Sequence, residues 1–153
     1  MARYYFGTDT TLTITPESGS AISLACLQSA SVIARRTNVD LRGCGTTKRM
    51  KVAQDTFEVE VKFQAAGMDA ELIGEILGSW TSGTGVAVET DTTTPTEFTV
   101  VITGTSRTSG KSLASTVTNV VFEEVPVIVA NYNEWDMWEF TGIGDSASTV
   151  ETV

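Results

Sequence analysis

Residues 57–63 read Phe57-Glu58-Val59-Glu60-Val61-Lys62-Phe63, FEVEVKF. Apolar Phe57, Val59, Val61 and Phe63 alternate strictly with charged Glu58, Glu60 and Lys62. A period of two puts successive side chains on opposite faces of an extended chain, whereas a helix would need apolar residues three or four apart. The stretch therefore predicts a strand with the four apolar residues in the core and the three charged ones on a wet face. What that wet face looks at is the functional question.

The rest of the chain agrees with a β fold. Its 153 residues predict one domain over 1–153, and 25 Thr with 13 Ser favour strands that are wet on one side. Ten basic against 19 acidic residues leave a net charge of −9, which repels nucleic acid and argues against a DNA-reading role. There is no His, so the commonest general base and metal ligand are missing, and Cys26 and Cys44 alone make no zinc pattern. No cofactor and no metal are expected; the two cysteines read as free thiols in a reducing compartment, with a bond between them the alternative that stays open. "MARYYFGTDT" lacks the apolar core of a signal peptide, and "VPVIVA" (125–130) is too short to span a bilayer. A soluble protein made in the cytoplasm, with no membrane partner, is expected.

Read along the chain, residues 1–20 predict an N-terminal arm with a short alternating piece at 12–15. One or two strands follow over about 21–36, then a long basic loop over 37–55. "GMDAELIGEILGSW" predicts the single helix, capped by Asp69 and ended by Gly78. Leu72, Ile73, Ile76, Leu77 and Trp80 fall on one stripe and are expected in the core. Then come the strand "GVAVET", the strand "EFTVVITGT", a hairpin tip "SRTSGKS", the return strand "STVTNVVFEEV" and a closing strand "EWDMWEFTGIG". Residues 145–153 read as a polar tail. Strands, one helix and more strands, with no βαβ alternation, predict a mainly β fold: an antiparallel β-sandwich or barrel with one flanking α-helix.

Two catalytic readings fail on spacing or context. "GTSRTSGKS" (104–112) ends like a phosphate-binding loop, but five residues separate Gly104 from Gly110 where that motif has four, and the sequence after it reads as strand rather than helix. The carboxylate pairs Glu58/Glu60, Glu89/Asp91, Glu123/Glu124 and Glu134/Asp136 lack a nucleophile or base beside them, and Trp80, Trp135 and Trp138 read as core before they read as sugar platforms. No enzyme is expected.

Charge is uneven. Residues 35–51 carry Arg35, Arg36, Arg42, Lys48, Arg49 and Lys51 against Asp40, a net of +5, while residues 77–153 carry two basic and ten acidic residues, a net of −8. A basic segment on an acidic body suggests a heterologous contact between copies of the chain.

The succession "LQSASVIARRTNVDLRG", basic connection, "DTFEVEVKF", helix "DAELIGEIL", Thr-rich hairpin and closing "WDMWEFTGIG" resembles the major tail, or tail tube, proteins of tailed bacteriophages over about 21–144. It is a resemblance of element order and texture. It implies a structural virion protein whose hexameric rings stack into a tube that conducts DNA, the subunit sheets closing into a larger barrel. It implies Ser29, Ser31, Glu58, Glu60 and Lys62 as lumen-facing, and Arg35, Arg36, Arg42, Lys48, Arg49 and Lys51 as an inter-ring loop. Its implied partners are further copies of the chain, a tape measure, a tail tip or baseplate, a terminator and, where the tail contracts, a sheath, with DNA in transit only. Two other readings stay open: a related ring-forming terminator or injection-system tube, and a monomeric carbohydrate-binding β-sandwich using Trp135 and Trp138.

Overall fold

The computed structural model describes residues 5–24, 27–42, 49–67, 70–81, 85–88, 95–106, 109–126, 129, 134 and 136–152. The strands are β1 (Tyr5–Pro16), β2 (Ile22–Leu24), β3 (Leu27–Arg42), β4 (Arg49–Ala66), β5 (Gly78–Thr81), β6 (Gly85–Val88), β7 (Phe98–Ser106), β8 (Ser112–Glu124), β9 (Met137–Gly144) and β10 (Ser146–Thr152), with one helix, α1 (Ala70–Leu77), between β4 and β5. All the pairings are antiparallel, as the absence of βαβ alternation predicted.

The main sheet runs β2-β1-β7-β8-β9-β4-β3, with β10 also on β8. β8 belongs to both halves of this path. Its first part pairs with β7 and β10, and its last residues pair with β9. The path folds over along β8 into two facing layers, β2-β1-β7-β8-β10 and β8-β9-β4-β3. Leu12, Ile14, Phe98, Val100, Val117 and Val120 from one layer and Val59, Val61, Phe63, Trp138 and Phe140 from the other form a single buried cluster. Phe63 stacks on Phe140 at 4.9 Å between centroids, and Phe122 meets Phe63 and Phe98 edge-on at 5.9 and 5.3 Å, so aromatic contacts join the layers.

At the crossing, Gly142 and Gly144 of β9 lie hard against β8. A Cβ on Gly144 would stand 2.6 Å from Val117 Cγ1 and 2.9 Å from the Thr118 carbonyl, and one on Gly142 would stand 2.7 Å from Val120 Cγ1. The glycines of the closing "TGIG" thus permit the approach of two strands.

Helix α1 buries Leu72 and Ile73 in the same cluster, with Ile76 packed against it. Its apolar stripe was expected to run on to Trp80. The helix instead stops at Leu77, and Trp80 lies in β5 opposite Val86. Gly78 ends the helix as expected, and the chain leaves it directly into a strand. The side chains of Leu77 and Trp80 lie outside the described residues.

Three expectations are corrected. Residues 37–55 are not a loop: β3 and β4 form a long hairpin whose ladder runs from Leu27↔Ala65 to Arg42↔Arg49, and Gly43–Lys48 lie outside the described residues. Residues 5–16 are no free arm, because β1 pairs with β7 along Thr10–Pro16 and buries Leu12 and Ile14 completely. Residues 146–152 are β10, fully exposed yet laddered to β8. A fourth correction concerns Phe57, which is 41% exposed although Val59, Val61 and Phe63 are buried. β9 pairs with β4 only from Val59↔Gly144 to Ala66↔Met137, so Phe57 lies past the end of the neighbouring strand, on the part of the hairpin that leaves the sandwich.

Candidate functional site

The wet face of β4 is the candidate. Strict alternation sends Glu58, Glu60, Lys62 and Gln64 away from the core while Val59, Val61, Phe63 and Ala65 enter it. The register sets Ser29 opposite Gln64, Ser31 opposite Lys62, Ile33 opposite Glu60 and Arg35 opposite Glu58. On the other side Glu139 stands opposite Gln64, Thr141 opposite Lys62 and Ile143 opposite Glu60. Directly paired residues share a face, so Ser29, Ser31, Glu58, Glu60 and Lys62 all lie on one polar surface, joined by Arg35, Gln64 and Glu139.

That surface is stitched across three strands. Ser29 Oγ donates to Gln64 Oε1 at 3.5 Å, and Gln64 Nε2 donates to Glu139 Oε2 at 3.0 Å. Lys62 Nζ lies 2.7 Å from Glu139 Oε1, so both carboxylate oxygens of Glu139 are engaged. Arg35 Nη2 reaches both oxygens of Glu60 at 3.1 Å.

The charges on this face are matched and tilted acidic. Glu58, Glu60, Glu139 and Glu124, which stands opposite Thr141, face Arg35 and Lys62. The hydrogen bond to Glu139, then its charge, holds the Lys62 ammonium above its ordinary range, with the more distant charges of Glu60 and Glu124 acting the same way. The hydrogen bond from Lys62 is the largest influence holding the Glu139 carboxyl below its ordinary range, against partial desolvation. Both groups stay ionised throughout the neutral range, and the cations are already engaged by neighbouring carboxylates.

The basic residues expected together on a loop are spread along the hairpin. Arg35 and Arg36 lie on β3 within the ladder, and Arg35 belongs to the polar face through Glu60. Arg42 pairs with Arg49 at the far end of the ladder, and Lys51 pairs with Leu41. Lys48 lies outside the described residues. Sequence reading missed Glu139, Gln64 and the place of Arg35 on the polar face beside Glu60. The signal for Glu139 was present in "WEF", where a carboxylate sits between two aromatics at the same period of two that located Glu58 and Glu60.

Other sites are thin. Trp138 is 5% exposed and faces the core, so it cannot offer a ring to a sugar, and Trp135 lies outside the described residues. "SGKS" leads into β8 and not into a helix, which removes the phosphate-loop geometry. Among the described residues no group of three potential metal ligands comes together, and no helix is long and apolar enough to cross a membrane. A groove of about 350 Å³ opens where the start of β3 (Leu27, Ala30) faces Ile102, Gly104 and Leu113 of the other layer. It is the open seam of the sandwich, beside the outer edge of β3, which ends the sheet order.

No protein-family profile and no curated protein matches the chain. Solved structures do. A chain of the anti-feeding prophage cap, described as the tube terminating cap, matches with a TM-score of 0.56 at 13% identity, over 92% of this chain and 88% of that one. A chain of the sheath–tube complex of an extracellular contractile injection system, PVC, in its extended state matches with a TM-score of 0.56 at 12% identity, over 92% and 88%. A chain of the same prophage's baseplate, 6-fold symmetrised, matches with a TM-score of 0.57 at 8% identity, over 98% and 97%. At such identities the likeness is one of fold, and the fold of this chain is the one found in the tube, cap and baseplate assemblies of contractile injection particles.

Proposed function

We propose that this chain is a structural subunit of a phage-type tail tube: copies close side by side into hexameric rings, and the rings stack into a hollow conduit for DNA. The observation that carries the reading is the polar face of β3, β4 and β9, with its cations engaged and its balance acidic, on a sheet that ends in open edges. A duct for DNA must not hold DNA. Phosphate contacts release counterions and make a surface adhesive, whereas paired cations and surplus carboxylates offer nothing to grip. Glu58, Glu60, Lys62, Ser29 and Ser31 then face the lumen, with Arg35, Gln64 and Glu139 among them.

Ring closure answers the open edges. Among the described residues β3 stands last in the sheet order, and closing sheets from neighbouring copies into a larger barrel removes edges that otherwise invite uncontrolled pairing. Two assemblies with chains of this fold are described as 6-fold symmetrised or of C6 symmetry, which supports six copies per ring. The basic hairpin tip meets an acidic neighbour between rings. The proposed partners are further copies of the chain, a tape measure, a tail tip or baseplate, a terminator and, where the tail contracts, a sheath; the place is the virion tail, assembled in the host cytoplasm, and the role is not enzymatic. A second reading, a tube terminator or injection-system tube, is favoured by the likeness to a tube terminating cap.

Electron microscopy of the purified protein tests the proposal. Hollow tubes of stacked rings are expected; isolated rings that never stack favour the terminator. A species that stays monomeric at high concentration overturns both.

A further inference from the structure

Strand β10 is joined to the molecule without burying a side chain. All seven of its residues are exposed, and Val150 is 58% exposed. β9, in contrast, buries Trp138, Phe140, Gly142 and Gly144 on one side. β10 is held by a ladder to β8 in one register, from Ser146↔Thr118 to Thr152↔Ser112. Hydroxyl contacts reinforce it: Thr118 Oγ1 to Ser146 Oγ at 2.6 Å, and Ser115 Oγ to Thr149 Oγ1 at 3.1 Å. A single residue, Asp145, links β10 to β9. Its N–H donates to the Thr118 carbonyl at 3.1 Å, and Asn119 Nδ2, from a residue at φ 53°, donates to its Oδ2 at 3.0 Å. Gly144, one residue earlier, is locked against Val117, Thr118 and Val120. Tight packing thus ends at Gly144, and Asp145, held by these two hydrogen bonds alone among those named, is the elbow.

Every hydrogen bond named here outside the ladder runs from 145–149 to 115–119, and the ladder itself uses Ser112–Thr118 of β8. Each copy of the chain offers that strand identically. The same seven residues from a second copy would meet the same register and the same hydroxyls, and exchange would extract no side chain from the core. We propose that β10 is an exchangeable strand: it opens at Asp145, and β10 of a second copy takes its place on β8. This inference goes beyond the tube reading and does not require it.

The test places cysteines at the directly opposed pair Ser115 and Thr149, in protein whose Cys26 and Cys44 are changed to Ser. Under mild oxidation the double variant Ser115→Cys/Thr149→Cys should close within one chain, showing that the pair is competent. Chains carrying Ser115→Cys alone, mixed with chains carrying Thr149→Cys alone, should then accumulate disulfide-linked heterodimers, and adding Asn119→Ala should speed their appearance several-fold. A mixture that stays unlinked while the double variant closes overturns the proposal. Should these variants fail to fold, hydrogen exchange on the unaltered protein decides. Ladder amides of 146–152 should exchange at least about tenfold faster than those of 137–144, and equal protection of the two strands overturns the proposal.

Discussion

Lys62 and Glu139 meet diagonally across the β4–β9 ladder, with Nζ 2.7 Å from Oε1, while Gln64 donates to the other oxygen of the same carboxylate. The pair therefore fixes three side chains on the polar face at once. Its energetic weight is small, because the Lys62 and Glu139 side chains are 48% and 43% exposed and water screens them. Its effect is on charge: it engages a cation that would otherwise be offered to a phosphate.

The pH dependence follows from the directions of the two shifts. The Glu139 carboxyl is lowered, so its contribution is present above the unfolded carboxylate range and is lost as pH falls through the folded value. The Lys62 ammonium is raised, so its contribution is present below the unfolded lysine value and is lost as pH rises through the folded one. The small difference in Tm between the wild type and Glu139→Gln should be constant through the neutral range and shrink in acid. A difference that persists in strong acid would assign Glu139 some other role.

Core and hairpin should separate cleanly under truncation. Phe63→Ala removes a buried ring stacked on Phe140 and should cost about 3–5 kcal/mol. Phe57→Ala, six residues earlier on the same side of the same strand, should stay within about 0.5 kcal/mol. Urea denaturation of both variants measures this. Equal losses would place Phe57 in a packed environment.

The contrast between those two phenylalanines shows what the sequence could reveal. Alternation in 57–63 is a local property, and it assigned the faces of Val59, Val61, Phe63, Glu60 and Lys62 correctly. Burial also depends on what lies over the strand, and β9 ends opposite Val59. Nothing within seven residues carries that boundary. Residues 37–42 and 49–55 escaped notice for a related reason: where side chains are described, Thr37, Asn38, Val39, Gln54 and Asp55 are exposed whichever face they take, so no apolar period marks strand, and the charges and the glycines at 43 and 45 imitate a loop. Trp80 fell on the helical stripe by spacing alone, since its position three residues after Leu77 satisfies the period whether or not the helix continues.

Gly144→Ala should destabilise the fold by about 1–3 kcal/mol, because a new methyl meets Val117 Cγ1 and the Thr118 carbonyl and β8 must give way. Thermal melting checks it, and the double variant Gly144→Ala/Val117→Ala should recover part of the loss. No recovery would mean that the carbonyl, not the valine, is the obstacle.

Reversing the lining should leave the subunit folded and change what it touches. Glu58→Lys/Glu60→Lys acts on side chains outside the core, so tubes should still form while DNA becomes retained at low salt. Filter binding with short duplexes reads the retention. Tubes that form and retain no DNA would show that this face does not line the conduit.

Replacing Arg42, Lys48 and Arg49 with Ser should give folded subunits that stack poorly, and wild-type stacking should weaken with salt. Tube length under the electron microscope is the measurement. Normal tubes from the triple variant, at low and high salt alike, would leave stacking to apolar contacts.

The hairpin has one practical consequence. Six of the ten basic residues of the chain fall within 35–51, with Arg35, Arg36, Arg42, Arg49 and Lys51 on the two strands and Lys48 outside the described residues, leaving Arg3, Lys62, Arg107 and Lys111 for all the rest. From Arg36↔Phe57 to Arg42↔Arg49 the ribbon runs on for about 20 Å at the usual rise per strand residue, beyond the last rung that β9 shares with β4. A trypsin-like protease therefore finds most of its cleavage sites gathered on one projection, which turns limited digestion into a clock. Free subunits should be nicked there first, leaving two fragments of unequal size, and, on the proposed assembly, resistance to that nick reports, minute by minute, the fraction of subunits whose projections a neighbour covers.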